Sequence, residues 1–286
     1  MLIFKCIFDS ICLLKLTKEY IMLLNSNFNS FMQALHQSRK NTRIFACDLE
    51  TSGLNDSRNI DGMKEGESGA GYYPILQIAV IIYNGHFEQL GEPIDIVIYQ
   101  DEKTLKERTN KWSKKQFEKT LMIQCPKSEV TLEEAEQLVI GHIEQFGIER
   151  DGIEKGTAAL MLGNSIRLDM EFISAQMPTL KEYLHYRLLD VSVLKEFFTI
   201  IFGKEYARVP KQCSHDALSD IRESVMELEY FLDNFIVSPD EYFRNKIMKN
   251  VFHVHTTGDS HKYLTAEPLI QKDKSSGTML PPLKSK

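Results

Sequence analysis

The stretch IFACDLETSGL, residues 44–54, runs from an apolar segment into two acids and then a turn. The apolar residues 44–47 predict a buried β-strand. Because successive strand side chains point to opposite faces, Asp48 and Glu50 should project on the same face at the end of this strand. Gly53 lets the chain turn sharply behind them. Two acids at a strand end indicate either a metal site or an ordinary solvated end.

The segments that follow predict a mixed β-sheet with helices on its faces. Residues 75–83 (ILQIAVIIY) indicate a second buried strand, and Asn84-Gly85 a hairpin turn into a partner strand at 93–99. A short strand is predicted at 157–162, and a brief strand or turn at 188–189. Helical periodicity covers residues 104–117, 131–146, 168–176, 191–202 and 215–235. Strands followed by an alternation of helices and strands are typical of an α/β fold.

The composition is that of an ordinary globular protein. Of the 286 residues, 43% are hydrophobic and 26% charged, which is enough for a sizeable core. The net charge of −6 argues against a protein that coats long nucleic acid. The five cysteines are scattered and show no CxxC pair, which favours a reducing compartment over a disulfide framework or a zinc ribbon. No apolar run reaches the roughly 18 to 20 residues that a membrane span needs.

The chain divides by composition into an organised domain and two extensions. Residues 1–42 are predicted as an N-terminal extension, without a clear signal-peptide cleavage site. Residues 43–237 form the organised domain, and 238–286 a C-terminal extension that is partly flexible. Residues 55–71 hold four glycines and almost no large apolar side chain, which predicts a mobile surface loop.

Two later segments place further acids at the ends of predicted elements. Asp169 follows a Gly-Asn-Ser turn, and Asp220 lies five residues after His215 at the start of the last long helix. Taken singly, Asp169 is an ordinary helix-start acid and His215 a surface or capping residue. Taken with Asp48 and Glu50, they lie at element boundaries, where the active sites of α/β sheets gather.

This residue set suits phosphodiester hydrolysis. Carboxylate ligands select Mg²⁺ or Mn²⁺ over zinc. Two such ions roughly 3.5–4 Å apart can hold the attacking and leaving oxygens of an in-line phosphoryl displacement. With an ordinary pKa of about 6.5, histidine accepts a proton near neutral pH. We therefore expect two ions at Asp48, Glu50, Asp169 and Asp220, with His215 as the general base.

Three motifs in order carry a resemblance to a known family. DLETSGL (48–54), GNSIRLD (163–169) and HDALSDIRES (215–224) resemble the exonuclease motifs of the DEDDh superfamily, which shares the ribonuclease H-like fold. LHYRLLDVSVLKEF (184–197) is more specifically similar to oligoribonuclease, as is the segment from Ser219 to Phe231. The resemblance covers the whole organised domain. It implies the same four acids as metal ligands and the same histidine as the base.

The resemblance also implies contacts with a short RNA substrate. Leu54 would wedge against one base and Trp112 would stack near the other, although both could simply pack as apolar groups. Ser165 and Ser192, with Lys195 as a further candidate, would enclose the 5′ phosphate. Such an enclosure would restrict the enzyme to RNA of two to a few nucleotides.

A homodimer is implied as well. In oligoribonucleases the segment that matches Tyr186 and Arg187 is contributed by the partner protomer, so these two residues would complete the site across the interface. The alternative is that Arg187 pairs within its own subunit.

Four positions depart from the family pattern. Arg167 and Leu168 stand where a small residue and a glutamine are expected, Val193 where a hydroxyl residue is usual, and Phe117 where a histidine is expected. None is a predicted metal ligand. They bear on substrate length rather than on hydrolysis.

The sequence thus predicts a 3′→5′ exoribonuclease that converts short oligoribonucleotides to nucleoside 5′-monophosphates. The alternative within the superfamily is a broader exonuclease that trims the 3′ ends of longer RNA or DNA. A catalytically idle RNA-binding protein and an HD-type phosphohydrolase based on His215-Asp216 are the other interpretations. The expected compartment is the cytoplasm, with the mitochondrion as the alternative.

Overall fold

Five strands form one mixed β-sheet in this computed structural model. They are β1 (Arg43–Thr51), β2 (Ile75–Asn84), β3 (Gln89–Val97), β4 (Ala159–Gly163) and β5 (Leu184–Asp190). Their order across the sheet is β3-β2-β1-β4-β5. The pairs β1–β2 and β2–β3 are antiparallel, whereas β1–β4 and β4–β5 are parallel. The predicted mixed sheet is therefore confirmed.

The structure describes part of the chain, namely residues 28–55, 63, 67–209, 216–239, 241–242 and 245. The predicted base His215, residues 56–62 and 64–66 of the predicted loop, and most of the C-terminal extension lie outside the described residues. The chain divides into two compact units, Met1–Ser238 and Pro239–Lys286, and the five-stranded sheet belongs to the first. Within the described ranges, no helix is both long enough and apolar enough to cross a bilayer.

Helices connect the strands and cover both faces of the sheet. Residues 28–41 form α1, which falls in the predicted N-terminal extension. The later helices are α2 (Gly69–Tyr72), α3 (Glu102–Glu107), α4 (Lys111–Gln116), α5 (Leu121–Gln124), α6 (Leu132–Glu144), α7 (Gly152–Lys155), α8 (Arg167–Gln176), α9 (Pro178–Lys181), α10 (Val191–Phe202) and α11 (Ala217–Phe235), with a 3₁₀ turn at Cys125–Lys127. The helices α6, α8 and α10 agree with their predicted ranges to within two residues.

The two faces of β1 belong to two separate cores. Phe45, Cys47 and Leu49 pack in a core with α6, α8 and α9. Ile44 and Ala46 pack on the opposite face with α10 and α11. Because strand side chains alternate, the next two even-numbered residues, both acids, extend the row that faces α11. The acids at the end of β1 are therefore directed toward the helix that carries the last predicted ligand.

Gly163 brings β4 close to β1 just before the site. A Cβ atom added at Gly163 would lie 3.0 Å from the carbonyl oxygen of Cys47 and 2.7 Å from Cδ1 of Ile166. Any side chain at this position would force the two strands apart, so glycine is required by the close approach rather than by its dihedral angles. Because β1 and β4 are parallel neighbours, their carboxyl ends lie side by side at the same end of the sheet.

The predicted helix over residues 104–117 is wrong, because two short helices, α3 and α4, occupy it. The chain breaks between them where the N–H of Asn110 donates to the carbonyl of Ser52 at 2.8 Å. The Ser52 hydroxyl also donates to the carbonyl of Arg108. Asn110 then caps α4 by accepting from the N–H of Ser113 at 2.7 Å. These bonds tie α4 to the turn that follows β1.

The predicted strand at 188–189 is too short. β5 begins at Leu184, because its register with β4 starts where Ala159 lies opposite Leu184. β5 therefore includes the HYR segment and forms one edge of the sheet.

Candidate active site

Three of the four predicted ligands form one group at the end of β1. Asp48 and Glu50 come from the strand and Asp220 from the first turns of α11. One carboxylate oxygen from each of these residues lies within 4.8 Å of those of the other two. We call Asp48, Glu50 and Asp220 the acid cluster. Three carboxylates this close repel one another unless a cation or a proton is shared between them.

Asp169 contacts the backbone of the same strand. It lies in the first turn of α8, and its Oδ1 accepts a hydrogen bond of 2.9 Å from the backbone N–H of Leu49. Leu49 is the residue between the two acids of β1. The structure thus brings Asp169 to the predicted site, held against the strand backbone rather than within the acid cluster.

The electrostatics of the site disfavour ionised carboxylates. Burial is the main cause that raises the pKa of Glu50 to about 8, and the negative charges of Asp48, Asp220 and Asp216 contribute after it, in that order of importance. Burial, followed by the charge of Asp48, likewise raises the pKa of Asp169 well above its ordinary range. Bound cations would reverse both shifts.

Asp216 also contributes to the electrostatics of the site, although it is not one of the predicted ligands. It is the N-cap of α11, and its Oδ2 accepts from the N–H of Ser219 at 3.1 Å and from the Ser219 hydroxyl at 2.7 Å. Its charge also acts on Glu50. The adjacent His215 lies outside the described residues, so its role as the base stays a prediction.

Leu54 and Trp112 are the two predicted base contacts, and both are exposed. Leu54 is 59% exposed and Trp112 60% exposed, so both side chains are accessible to another molecule. The bonds from Ser52 to the α3–α4 connection hold Trp112, on α4, to the same turn that carries Leu54. The edge of Trp112 packs against buried Phe117, whose ring centroid lies 6.4 Å away.

The two predicted phosphate contacts share one acceptor that the sequence interpretation missed. Oδ1 of Asp190 accepts from the N–H of Ser165 at 3.0 Å and from the hydroxyl of Ser192 at 2.5 Å. Ser165 adopts a left-handed conformation with φ of 54°. Asp190 is the N-cap of α10, and the Asp-Val-Ser spacing could have signalled this role. It gathers the two serines at the carboxyl ends of β4 and β5.

Lys195, the further phosphate candidate, is engaged elsewhere. Its Nζ lies 3.4 Å from Oε1 of Glu227, which is buried between α10 and α11. This ion pair joins the two helices on one face of the sheet.

Tyr186 and Arg187 lie on the exposed edge strand β5. The guanidinium of Arg187 stacks over the Tyr186 ring at 5.2 Å, and the Tyr186 ring also stacks on His185 at 4.5 Å between centroids. Tyr186 is 62% exposed. Neither side chain is directed into the core of its own subunit, so both are accessible to another molecule.

The departures from the family pattern have distinct structural settings. Arg167 is exposed and forms an i,i+4 ion pair of 3.0 Å with Glu171, which also accepts from Asn55 at 2.6 Å. Leu168 packs against the core on the α8 face. Val193 is exposed on α10. The Arg167–Glu171–Asn55 network ties α8 to the residue that follows Leu54.

A comparison with known protein families identifies the family of this chain. A family model described as an exonuclease matches residues 45–228, which include all four predicted ligands. The match covers more than half of the chain, and the chain belongs to this exonuclease family.

Within the family, the chain is similar to oligoribonucleases. It is 38% identical over 158 residues to the oligoribonuclease of Rhodococcus jostii (strain RHA1), which covers 55% of this chain and 76% of that protein. It is 35% identical over 212 residues to the probable oligoribonuclease of Schizosaccharomyces pombe, which covers 72% of this chain and 75% of that protein. The predicted resemblance to oligoribonuclease is thereby confirmed.

Among solved structures, the exonuclease I of Methylocaldum szegediense is 15% identical, with a TM-score of 0.47. The likeness covers 76% of this chain and 46% of that one. It is too distant to bear on the site.

Proposed function

We propose that this protein is a 3′→5′ exoribonuclease that degrades short oligoribonucleotides to nucleoside 5′-monophosphates by two-metal-ion hydrolysis. The observation that carries the proposal is the acid cluster, in which three carboxylates from β1 and α11 converge within 4.8 Å. The similarity to oligoribonucleases supports short RNA as the substrate.

The residues fit a pair of divalent ions. The acid cluster offers only oxygen ligands, which Mg²⁺ and Mn²⁺ prefer. Burial and, after it, the charges of Asp48, Asp220 and Asp216 raise the pKa of Glu50, and bound cations would offset both effects. Asp48, Glu50, Asp169 and Asp220 would hold the ions. When bound, such ions supply stabilisation of the negative charge on the attacking and leaving oxygens.

The chain's own groups orient the substrate and move the proton. Leu54 and Trp112 would hold the two terminal bases, because stacking on exposed aromatic and apolar side chains fixes single-stranded nucleic acid. Ser165 and Ser192, gathered by Asp190, would face the 5′ phosphate. His215, next to the α11 N-cap, would accept the proton of the attacking water.

A homodimer would complete this site. The exposed edge of β5 is continuous in sequence with α10, whose outer side carries large apolar residues. We define the β5–α10 surface as the exposed residues Tyr186 and Arg187 on β5 together with Val193, Phe197 and Ile200 on α10. Val193, Phe197 and Ile200 share one face of α10 by helical spacing, and exposed apolar residues grouped in this way are typical of a protein interface; Ile200 is 83% exposed. We propose a second copy of this chain as its occupant, because the same surface carries Tyr186 and Arg187, which would reach the partner's site.

Substrate length distinguishes the proposal from its alternative, a broader exonuclease acting on longer RNA or DNA. The specific observation behind the alternative is Arg167, an exposed cation tied to the loop after Leu54, which could attract further phosphates. The purified protein would be incubated with Mg²⁺ or Mn²⁺ and an end-labelled RNA dinucleotide, heptamer or long RNA, beside a long DNA and a His215→Ala control.

Fast cleavage of the dinucleotide and slow cleavage of the long RNA would support the proposal. Equal cleavage of all lengths would favour the broader exonuclease. Loss of cleavage of every substrate in the wild type would contradict both.

The proposed compartment is the reducing cytoplasm, with the mitochondrion as the alternative. Cys47 and Cys125 are free and buried, as expected for thiols that are not used in disulfides. Fractionation of cells that express the tagged full chain would decide between the two compartments.

A further inference from the structure

Two polar residues that belong to none of the roles above connect the end of β4 to α11. Nδ2 of Asn164 donates a hydrogen bond of 2.8 Å to the hydroxyl of Ser224. That hydroxyl in turn donates to the backbone carbonyl of Asp220 at 2.8 Å. The chain of bonds therefore ends on the backbone of a predicted metal ligand.

The first bond has no simple helical explanation. A serine hydroxyl that bonds the carbonyl four residues earlier is common in helices and requires no partner. Ser174 makes such a bond to the Met170 carbonyl at 2.6 Å. Ser224 differs because its hydroxyl also accepts from a side chain 60 residues away, and Ser224 itself is buried.

The hydrogen-bonding capacity of the Asn164 side chain is only partly used. Its Oδ1 is buried and finds no hydrogen-bond partner among the residues that the structure describes. An unpaired buried oxygen costs free energy, and the hydrogen bond from Nδ2 to Ser224 offsets part of that cost.

The position of Asn164 is in turn set by the strand before it. It follows Gly163, whose backbone lies against the Cys47 carbonyl, one residue before Asp48. A continuous path thus runs from β1 through Gly163, Asn164 and Ser224 to Asp220. This path holds α11 close to β1 at the point where like charges would push the two apart.

We propose that Asn164 and Ser224 are positioning residues that set the distance of Asp220 from Asp48 and Glu50, and with it the affinity of the site for divalent cations. The inference rests on the proposed metal site and names two supporting residues for it. Residues that orient metal ligands typically change metal affinity by about 10- to 100-fold when they are removed.

The test is a calorimetric titration of the full chain with Mn²⁺ alone. We expect Asn164→Ala and Ser224→Ala each to raise the Mn²⁺ dissociation constant at least about tenfold. If the two residues act only through the hydrogen bond between them, the double variant should bind Mn²⁺ no more weakly than the single variant with the lower affinity. Ser224→Thr, which keeps the hydroxyl, should restore most of the affinity.

Ser174→Ala is the matched control, because it removes the same type of back-bond from a helix that lies on the other face of the sheet. It should bind Mn²⁺ as the wild type does. Melting temperatures in a chelator separate folding from metal binding, and Asn164→Ala decides the matter alone if Ser224→Ala does not fold.

The proposal would be overturned if Asn164→Ala bound Mn²⁺ as the wild type does, if the two single effects were additive, or if the wild type bound no Mn²⁺. RNA cleavage is measured separately. A wild type that binds Mn²⁺ with the expected differences among variants, and cleaves no RNA, would reject the proposed function and leave the positioning roles supported.

Discussion

The acid cluster and the β5–α10 surface differ in what opposes their stability. Glu50 in the acid cluster is 8% exposed, so its negative neighbours act on it through a poorly screened environment. Ile200 on the β5–α10 surface is 83% exposed, and contact between its apolar side chain and water is unfavourable. Cations would stabilise the first region and a second protein chain the second. Substitutions should therefore separate the two regions by their effects on activity, assembly and stability.

The largest effect is expected for Glu50→Gln. Loss of this carboxylate should lower RNA cleavage by roughly a thousandfold, because a metal ligand and its charge are removed. The same change should raise the melting temperature in a chelator, because it removes a buried carboxyl group that is costly to ionise, first through its burial and then through the charges of Asp48 and Asp220. Initial cleavage rates and thermal unfolding of the same samples measure both effects.

Glu136→Gln is the matched control for this prediction. Glu136 is also 8% exposed, but it lies on α6 and its Oε1 accepts from the N–H of Leu180 at 2.9 Å. The variant should leave cleavage unchanged. A Glu50→Gln protein that keeps its activity, or is less stable than wild type in the chelator, would contradict the interpretation of the acid cluster.

The second effect concerns Ile200→Glu on the β5–α10 surface. A charge at this position should dissociate the proposed dimer, because a buried unpaired carboxylate is costly at an interface. Cleavage of a dinucleotide should fall by about 10- to 100-fold, as Tyr186 and Arg187 would no longer reach the partner's site. Light scattering after gel filtration gives the mass, and cleavage is assayed in the same fractions.

Leu138→Glu provides the control for this substitution. Leu138 is an exposed apolar residue on α6, across the sheet from α10. Its variant should keep the mass and activity of the wild type. A monomeric wild type, or a dimer unaffected by Ile200→Glu, would rule out this surface as the interface.

The sequence predicted the acid cluster better than its surroundings, because the acids stand in recognisable motifs whereas the contacts around them do not. Asp48 and Glu50 share a face through strand alternation, which is a local property. The proximity of Asp220 to these two acids was expected because the three motifs occur in the order found in the exonuclease superfamily. The role of Asp190 depends on a bond to a residue 25 positions away, Ser165, and no periodicity reports such a contact.

The same reason explains the error over residues 104–117. Their apolar spacing suits a helix, but Asn110 bonds the carbonyl of Ser52, 58 positions earlier in the chain, and begins a new helix instead. Tertiary hydrogen bonds override local periodicity where the chain has to reach the site. The fold class was predictable because it depends on many apolar residues, whereas each of these bonds depends on one or two.

The third effect is expected for Trp112→Ala. Loss of the indole should raise the KM for a dinucleotide by about tenfold, because base stacking on an aromatic side chain is removed. Trp112→Phe should retain most of the affinity. Since Trp112 is largely exposed, thermal stability should change little in either variant. A KM equal to that of the wild type in the alanine variant would assign Trp112 to packing against Phe117 alone.

The smallest effect is a pH dependence of stabilisation by divalent ions. Burial and the charges of Asp48, Asp220 and Asp216 raise the pKa of Glu50 from 4.5 to about 8 in the metal-free protein. The folded state therefore binds this proton more tightly than the unfolded state. The contribution of Glu50 to stability is greatest below 4.5 and is lost as the pH rises through about 8.

Divalent ions bind the deprotonated carboxylate and offset the repulsion that develops across this window. Saturating Mg²⁺ or Mn²⁺ should therefore raise the melting temperature by a few degrees more at about pH 8 than at about pH 6. In Glu50→Gln the difference between the two pH values should shrink, because the titrating group is gone. If saturating metal raised the melting temperature of the wild type equally at both pH values, protonation of Glu50 would not compete with metal binding, and this prediction would be wrong.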